Sequence, residues 1–453
     1  MKYSIIIPVF NSENTIERCL KSLDNITTTS NISFEVIMVN DGSTDATLSI
    51  IENFKNQSNV NLNIKSVDNG GPSRARNIGI SIVSEEADFI FFMDADDEVS
   101  SDLLLEADEF FEKNNDLNLA MIKAYYDGDF ERPHRLNQRF DDYESRIDIL
   151  QSPEKIQYYT WGVFIRHDLL KGEEALRFNE SMDFWEDALF INQLIMKEVQ
   201  YGLLHNPYYL YHRDQDSSLI KTAWYKQSRY TPLIESGYLE LIRVSESIFG
   251  YVIPYIQFLV VYHYKLFAFQ RFNKIAMKKL NKNKQRKFLN KSHYLFKFID
   301  DEQILKLGTK WYIIEYLLKL KHGNNVAKKI IRKNRPPIEE EALSINEVMR
   351  NGRYITIKGE FKSERYSIKE DDEIYIKHRK GIAQGSKFES EGKALKVFDL
   401  YVYDSRYNVF TITFPITLAY HYAIIHHDVY NGYKNELALF SIKDLMNLSK
   451  IHS

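Results

Sequence analysis

Four short apolar runs in the first hundred residues each end in a polar cluster, and this repeat constrains the fold more than any other feature. Tyr3–Phe10, Phe34–Asn40, Asn63–Val67 and Asp88–Met93 have the length and the β-branched or aromatic content of strands. Helical patterns follow two of them, at about Asn14–Leu23 and Asp45–Phe54. In the first, Ile16, Leu20 and Leu23 recur at helical spacing behind a cap candidate at Ser12. Strands alternating with helices predict an α/β domain with a mostly parallel sheet. Such open sheets place ligands just beyond the carboxyl ends of their strands. The polar clusters fall there: Pro8-Val9-Phe10-Asn11, Asn40-Asp41-Gly42-Ser43-Thr44-Asp45, Gly70-Gly71-Pro72-Ser73-Arg74-Ala75-Arg76-Asn77 and Asp94-Ala95-Asp96-Asp97. Phe184-Trp185-Glu186-Asp187 opens a later helical pattern.

Each cluster has a chemical and a bland reading. Asp94 and Asp96, one residue apart at a strand end, suit a hard cation such as Mg²⁺ or Mn²⁺, which would in turn hold a diphosphate. They equally suit a solvated acidic turn. Asp41 could accept the ring N–H of uracil, thymine or guanine, or simply cap the next helix. The glycine pair and two arginines of Gly70–Asn77 offer backbone N–H groups and guanidinium forks to phosphate oxygens. They match neither the dinucleotide fingerprint nor the P-loop. Asp187 is a candidate base, and Glu186 a supporting ligand or a charge favoured by the helix dipole. His212, after the aromatic run Tyr209-Leu210-Tyr211, is a third metal-ligand candidate or a structural histidine.

Taken together and in order, Ile6-Ile7-Pro8-Val9-Phe10-Asn11, Val39–Asp45, Gly71-Pro72-Ser73-Arg74-Ala75-Arg76-Asn77-Ile78-Gly79 and Asp94–Asp97 resemble family 2 glycosyltransferases of the GT-A fold. The resemblance is close over residues 1–100 and extends more loosely, through Trp161 and Glu186-Asp187, to about residue 220. It implies inverting, metal-dependent transfer from a nucleotide diphosphate sugar, most often UDP-linked, with Mn²⁺ or Mg²⁺ as cofactor. Carried over by position, Asp187 would be the catalytic base, while Asp96 and His212 would hold the metal. Pro8, Phe10, Asn11, Asp41, Arg74, Arg76, Asn77, Asp94, Ala95, Glu186 and Arg213 would line the nucleotide sugar. Within that set Asp41 would meet the base, Asp94 the ribose and Arg76 the phosphates, with Ser217-Ser218 in a later diphosphate-side loop. The family's usual glycine-proline-glycine turn is Gly71-Pro72-Ser73 here.

Charge is distributed unevenly. Residues 1–220 balance at −20, residues 221–335 at +17 and residues 336–453 at −1, although the whole chain is only −4. At about 150 residues per domain the chain suggests two to four domains, and the charge borders divide it into a catalytic domain, a basic helical segment and a C-terminal domain. Alternating runs such as Val397–Asp404, Val409–Phe414 and Glu436–Ile442 predict an antiparallel, sandwich-like β domain, expected to bind acceptor or mediate homo-oligomerisation. His421, His426 and His427 make a poor metal set there, because adjacent strand residues face opposite ways. The densest basic run is Lys278-Lys279, Lys282, Lys284, Arg286-Lys287 and Lys291. Three roles stay open for the basic segment: a helical scaffold over the acceptor cleft, attraction of an anionic polymer, or peripheral contact of residues 248–291 with anionic lipid. No nucleic-acid-binding module accompanies the charge.

One cysteine, Cys19, excludes a disulfide framework or multi-cysteine metal site and favours a reducing compartment. The N-terminal run is too short for a signal-peptide core. Ile248–Phe269 is interrupted by Pro254, Gln257, His263 and Lys265, so it reads as a buried or surface-lying helix and not a span. The sequence therefore points to a cytoplasmic or membrane-peripheral transferase acting on a bacterial surface polymer: teichoic acid, capsule or lipopolysaccharide. The competing classes are a non-catalytic nucleotide-sugar or polymer binder and, more remotely, a sugar nucleotidyltransferase.

Overall fold

The computed structural model describes residues 1–126, 129–212, 226–269, 280–335, 342–363, 368, 370–378, 381–390, 394–397, 400–404, 406–415, 421–428 and 433–441. They form two compact units, Met1–Val260 and Val261–Ser453. Arg213 and Ser217-Ser218 lie outside the described residues, as do Lys278 and Lys279.

The first unit begins as the alternating pattern predicts: β1 (Lys2–Val9), α1 (Ile16–Asp24), β2 (Ser33–Asp41), α2 (Thr47–Gln57), β3 (Leu62–Val67), α3 (Pro72–Ser81) and β4 (Phe89–Phe92). β1 pairs in parallel with β2 on one side and β4 on the other, and β2 with β3. Tyr3, Ile5, Ile6, Ile7 and all four β4 residues are buried, as expected for strands covered on both faces. In α1, Ile16, Leu20 and Leu23 are buried. The N-cap position falls on Thr15, whose side chain makes no capping hydrogen bond, and Ser12 contributes its carbonyl, which accepts the Thr15 and Ile16 N–H groups.

The remaining strands are β5 (Glu98–Val99), β6 (Leu119–Tyr126), β7 (Asp129–Pro133), β8 (Arg146–Asp148), β9 (Val163–Arg166) and β10 (Gln200–Tyr211). They extend the sheet in the order β3-β2-β1-β4-β9-β6-β10-β5, with β7 on β6 and β8 on β10. β9 runs antiparallel between β4 and β6, while β10 is parallel to β6. α4 (Leu103–Lys113) brings Phe111 onto the sheet, its ring stacked 3.9 Å from that of Phe89. α5 (Glu186–Glu198) supplies a second, largely apolar layer through Leu189, Phe190, Leu194 and Ile195.

A π-helical turn (Leu233–Tyr238), α6 (Leu239–Phe249) and α7 (Pro254–Phe269) follow. Tyr255 joins α7 to α5 and the core of the first unit: its hydroxyl donates to Asn192 Oδ1 (2.9 Å) and accepts from the Gln157 N–H (3.1 Å). Ile253, Ile256, Leu259 and Val260 are buried. The stretch from Ile248 to Phe269 is thus broken between two helices, with Ile248 and Tyr251 exposed and Ile253–Val260 largely turned into the core. Among the described residues no helix is long and apolar enough to cross a membrane.

In the second unit, α8 (Lys282–Leu295), α9 (Asp301–Leu305) and α10 (Trp311–Asn334, interrupted at Gly323) precede an antiparallel sheet. Its strands are β11 (Leu343–Asn351), β12 (Tyr354–Phe361), β13 (Glu373–His378), β14 (Gly381–Phe388), β17 (Val409–Pro415), β18 (His421–Asp428) and β19 (Tyr433–Ser441), in the order β11-β12-β17-β14-β13-β18-β19. β15 (Ala394–Val397) and β16 (Leu400–Asp404) form a separate ribbon. Alternation carries the packing: Ile355 and Ile357 on β12 and Phe410, Ile412 and Phe414 on β17 are buried. His426 and His427 face opposite ways, each on its own carboxylate, Asp372 at 2.9 Å and Glu373 at 2.8 Å.

α3 lies close against β1 because Gly79 has no side chain; a Cβ there would meet Ile6 Cγ2 at 2.4 Å. Overpacking of this kind destabilises by about 1–3 kcal/mol, so Gly79→Ala should lower the denaturation midpoint. The double variant with Ile6→Ala should lose less than the sum of the two single variants. Strict additivity in urea unfolding would show that the helix does not depend on this contact.

Candidate active site

The turn after β4, the first turns of α3 and the start of α5 meet at one buried guanidinium. Arg76, 5% exposed on α3, donates to Asp94 Oδ1 (3.0 Å) and Asp187 Oδ1 (3.0 Å), and lies 3.5 Å from Glu186 Oε1. Phe178 supports it from one face, 5.5 Å from ring centre to guanidinium carbon. One cation therefore joins three segments that lie far apart in sequence. Burial would lower its pKa, but the three carboxylates outweigh that effect and raise it. A deeply buried Lys could shed its proton here, whereas Arg keeps its charge.

Glu186 and Asp187 are raised as well, which for a carboxyl disfavours the charged form. Burial, reinforced by the neighbouring Asp187, pushes the Glu186 carboxyl up to about 8 against the pull of Arg76. Asp187 is also raised, chiefly by burial, with Arg76 opposing and Asp94 adding. Three acids thus share one cation, more than Arg76 alone can pair with.

α5 starts from Trp185 in the left-handed region (φ 67°), a conformation costing a non-glycine residue on the order of 1–3 kcal/mol. Its ring packs edge-on against Tyr238 of the π-helical turn, 4.8 Å between centroids. This packing turns the first residues of α5, Glu186 and Asp187, toward Arg76. Sequence reasoning missed Trp185's conformation and its support, because a single unusual φ leaves no periodic signal.

The acidic turn after β4 is tied to β10. The Asp94 N–H donates to the Tyr209 hydroxyl (3.0 Å), which donates to Asp97 Oδ2 (2.7 Å); the His212 N–H donates to Asp97 Oδ1 (2.8 Å). Asp97 is fully buried, and burial raises its pKa well above the ordinary range. Its role is thus structural. The Arg18 guanidinium donates to the Asp96 carbonyl (Nε, 2.7 Å). Ala95 is buried, and Asp94 and Asp96 are half-buried. Beside the turn, Trp161 bridges to Phe92 and stacks on Tyr159 (3.7 Å), Tyr209 (4.6 Å) and Tyr211 (5.3 Å), making an aromatic wall.

On the β1–β2 side, Asp41 accepts the Gly70 and Gly71 N–H groups at 2.8 Å each, latching the turn before α3. Gly71 has φ +88°, a region that favours glycine. Pro72 then starts α3 at its first turn, and the Ser73 hydroxyl is buried without a hydrogen-bond partner. Phe10 stands 49% exposed beyond half-buried Pro8. Asn11 links the two strand ends, its Oδ1 accepting the Thr44 N–H (2.9 Å) and its N–H donating to Ser43 (3.0 Å). Arg74 turns back to the Asp68 carbonyl (2.9 Å). Asn77 clamps the backbone of Phe178 on both sides, at 2.9 and 2.8 Å. Arg76, Asp94, Glu186 and Asp187 are therefore gathered directly; Arg74 and Asn77 are engaged on neighbouring loops.

Among the described residues, no group of three or more His, Cys, Asp or Glu side chains is arranged to hold a metal ion alone. The His212 ring meets Glu98 at 2.8 Å, and Asp94 and Asp97 have the partners given above. The acidic turn nonetheless suits a hard cation that takes one carboxylate, Asp96, together with ligand phosphate oxygens and water, the usual habit of Mg²⁺.

Residues 4–172 match the family described as Glycosyl transferase family 2. The chain is 35% identical over 415 residues to the minor teichoic acid biosynthesis protein GgaA of Bacillus subtilis, spanning 91% of this chain and 92% of that protein. It is 32% identical over 220 residues to the poly(ribitol-phosphate) beta-glucosyltransferase of Bacillus spizizenii, covering 47% of this chain but only 33% of that protein. Among solved structures, a Staphylococcus aureus TarS fragment in complex with UDP-GlcNAc superposes with a TM-score of 0.56 at 20% identity, covering 79% of this chain and 96% of that one. That likeness is one of fold.

The raised Glu186 carboxyl has a stability consequence. A carboxyl that binds its proton more tightly folded than unfolded withdraws stability as pH rises from its unfolded to its folded pKa. Glu186→Gln should therefore gain stability relative to the parent between about pH 5 and about 8. Parallel stability curves across that range would remove the assignment.

Proposed function

The chain belongs to glycosyl transferase family 2, and from that premise we propose that it moves a sugar, with inversion, from a UDP-linked donor to a hydroxyl of a teichoic-acid-type polymer. The observation that carries this reading is the joining of Asp187 and Asp94 to one buried cation, Arg76, at the carboxyl ends of the strands. A base and a donor-binding turn held on a single hub suit one displacement reaction. The acceptor class comes from the relatives, named for teichoic acid and poly(ribitol phosphate).

In this mechanism Phe10, Asn11 and Asp41 bound the nucleoside end of the cleft. Asp41 keeps one acceptor site on each oxygen beyond those used by Gly70 and Gly71. Asp94 serves the ribose, and Arg76 lines the diphosphate side. Asp187, ionised beside Arg76, takes the proton of the acceptor hydroxyl as its oxygen attacks the anomeric carbon. The bond from that carbon to the diphosphate oxygen breaks, and the nucleoside diphosphate leaves with the electron pair. A positioned base contributes about 10²–10⁴-fold, and a raised pKa brings Asp187 nearer the working pH. A divalent cation held through Asp96 and the donor phosphates would neutralise charge on the leaving group. Glu186, its carboxyl pushed up by burial and by Asp187, adds less negative charge to the cluster than an ordinary carboxylate would. A nucleotide-sugar donor is made inside the cell, which sets this reaction on the cytoplasmic side.

Asp187→Asn should reduce transfer from a UDP-sugar by about 10²-fold or more while UDP affinity, measured by titration calorimetry, stays near the parental value. Near-parental turnover in that variant would contradict the base assignment.

A further inference from the structure

The basic run of the middle segment resolves on α8 into two opposite faces. Phe288, Ser292 and Leu295 are buried, and the Tyr264 ring lies parallel to that of Phe288 with centroids 6.2 Å apart. The other face carries Asn283, Arg286, Lys287, Asn290, Lys291 and Tyr294, which line an open recess of about 580 Å³. All six are exposed except half-buried Lys291. Arg286 and Lys287 form no ion pair with any described residue. Positions 283, 287 and 291 make one row and 286, 290 and 294 the next, each stepping about 6 Å along the helix.

We propose that this face of α8 docks the phosphodiester backbone of a polyol-phosphate acceptor, a role that rests on the acceptor class argued above and adds where the polymer is gripped. Two adjacent rows alternate cations with amide and phenol groups. Guanidinium and ammonium groups suit phosphate oxygens, while Asn and Tyr donate to and accept from polyol hydroxyls. The segment's balance of +17 complements a polymer that carries one charge per repeat. A bilayer fits the same face poorly. Helices that bind membranes insert an apolar face, and the apolar face of α8 is already buried in protein; Tyr294, 48% exposed, is the one large ring left on the basic side. One ring is also too few for the stacking platform of a nucleic-acid site. Several weak phosphate contacts on one helix would favour long acceptors over single repeats, because each bound repeat raises the local concentration of the next.

The test compares two charge-matched doubles of the full-length protein, Arg286→Gln/Lys287→Gln on the face and Lys282→Gln/Lys284→Gln on its flanks. Binding of fluorescent poly(ribitol phosphate) of defined length is followed across a salt series, alongside vesicles rich in phosphatidylglycerol. The face double should weaken polymer binding by at least about tenfold at low salt and flatten its salt dependence, on the usual scale of cation contributions at an anionic surface. The flank double should stay near the parent, and UDP stabilisation should be equal in all three proteins. Equal losses in both doubles, loss of vesicle binding with polymer binding intact, or no polymer binding by the parent would each overturn the dock. Transfer from a UDP-sugar to the same polymer is scored separately. Binding at the face without transfer contradicts the proposed acceptor and leaves the dock standing; transfer with an unchanged polymer KM in the face double overturns the dock alone.

Discussion

The site depends on one guanidinium that cannot lose its charge. Arg76 is buried among Asp94, Glu186 and Asp187, and without it three half-buried acids would face one another. Breaking a buried pair by removing one partner typically costs about 3–5 kcal/mol, because the remaining charge is left uncompensated. The same interaction sets the chemistry. Burial, with neighbouring acids adding, holds Glu186 and Asp187 above their ordinary range against the pull of Arg76, and a carboxyl raised in this way suits the base role proposed for Asp187. Stability and reactivity therefore share one contact, and the helix that supplies Arg76 is held tightly on β1.

The surrounding frame makes that contact reproducible. The Asp94–Tyr209–Asp97 relay fastens the acidic turn to β10, and Asp41 fastens the glycine turn to β2. Trp185 stores backbone strain where α5 begins, with Tyr238 packed against it. Rigid side-chain networks of this kind pre-organise charge for a reaction instead of reorganising during it.

Much of this was legible in the sequence, for a physical reason. Strand ends in a parallel sheet concentrate ligands, so polar clusters after apolar runs mark Asp41, Arg76 and Asp94 in the sequence itself. Asp187 was visible only as an acid at a helix start. What escaped was contact across long separations: Tyr209 reaching Asp97, Phe178 beneath Arg76, and the antiparallel insertion of β9 between β4 and β6. None of these has a local period. Asp97 illustrates the limit best, since it shares a motif with Asp94 and Asp96 yet is wholly buried as a structural anchor. Charge counting grouped residues 221–335 together, whereas the helices up to Val260 pack with the first unit, because apolar burial and not net charge decides where a helix settles. The same count did mark α8, where Arg286, Lys287 and Lys291 share one face.

The most direct test of the central claim, that the strand ends and α5 form a single nucleotide-diphosphate site around Arg76, is thermal unfolding against UDP, dTDP, GDP, CDP and ADP, each with Mn²⁺ and with EDTA. A ligand at 100 times its Kd stabilises the native state by about 2.7 kcal/mol, enough to raise Tm measurably. The account predicts that UDP with Mn²⁺ raises Tm, that CDP does not, and that EDTA removes most of the shift. No stabilisation by any nucleotide, or equal stabilisation by all five regardless of metal, would contradict it.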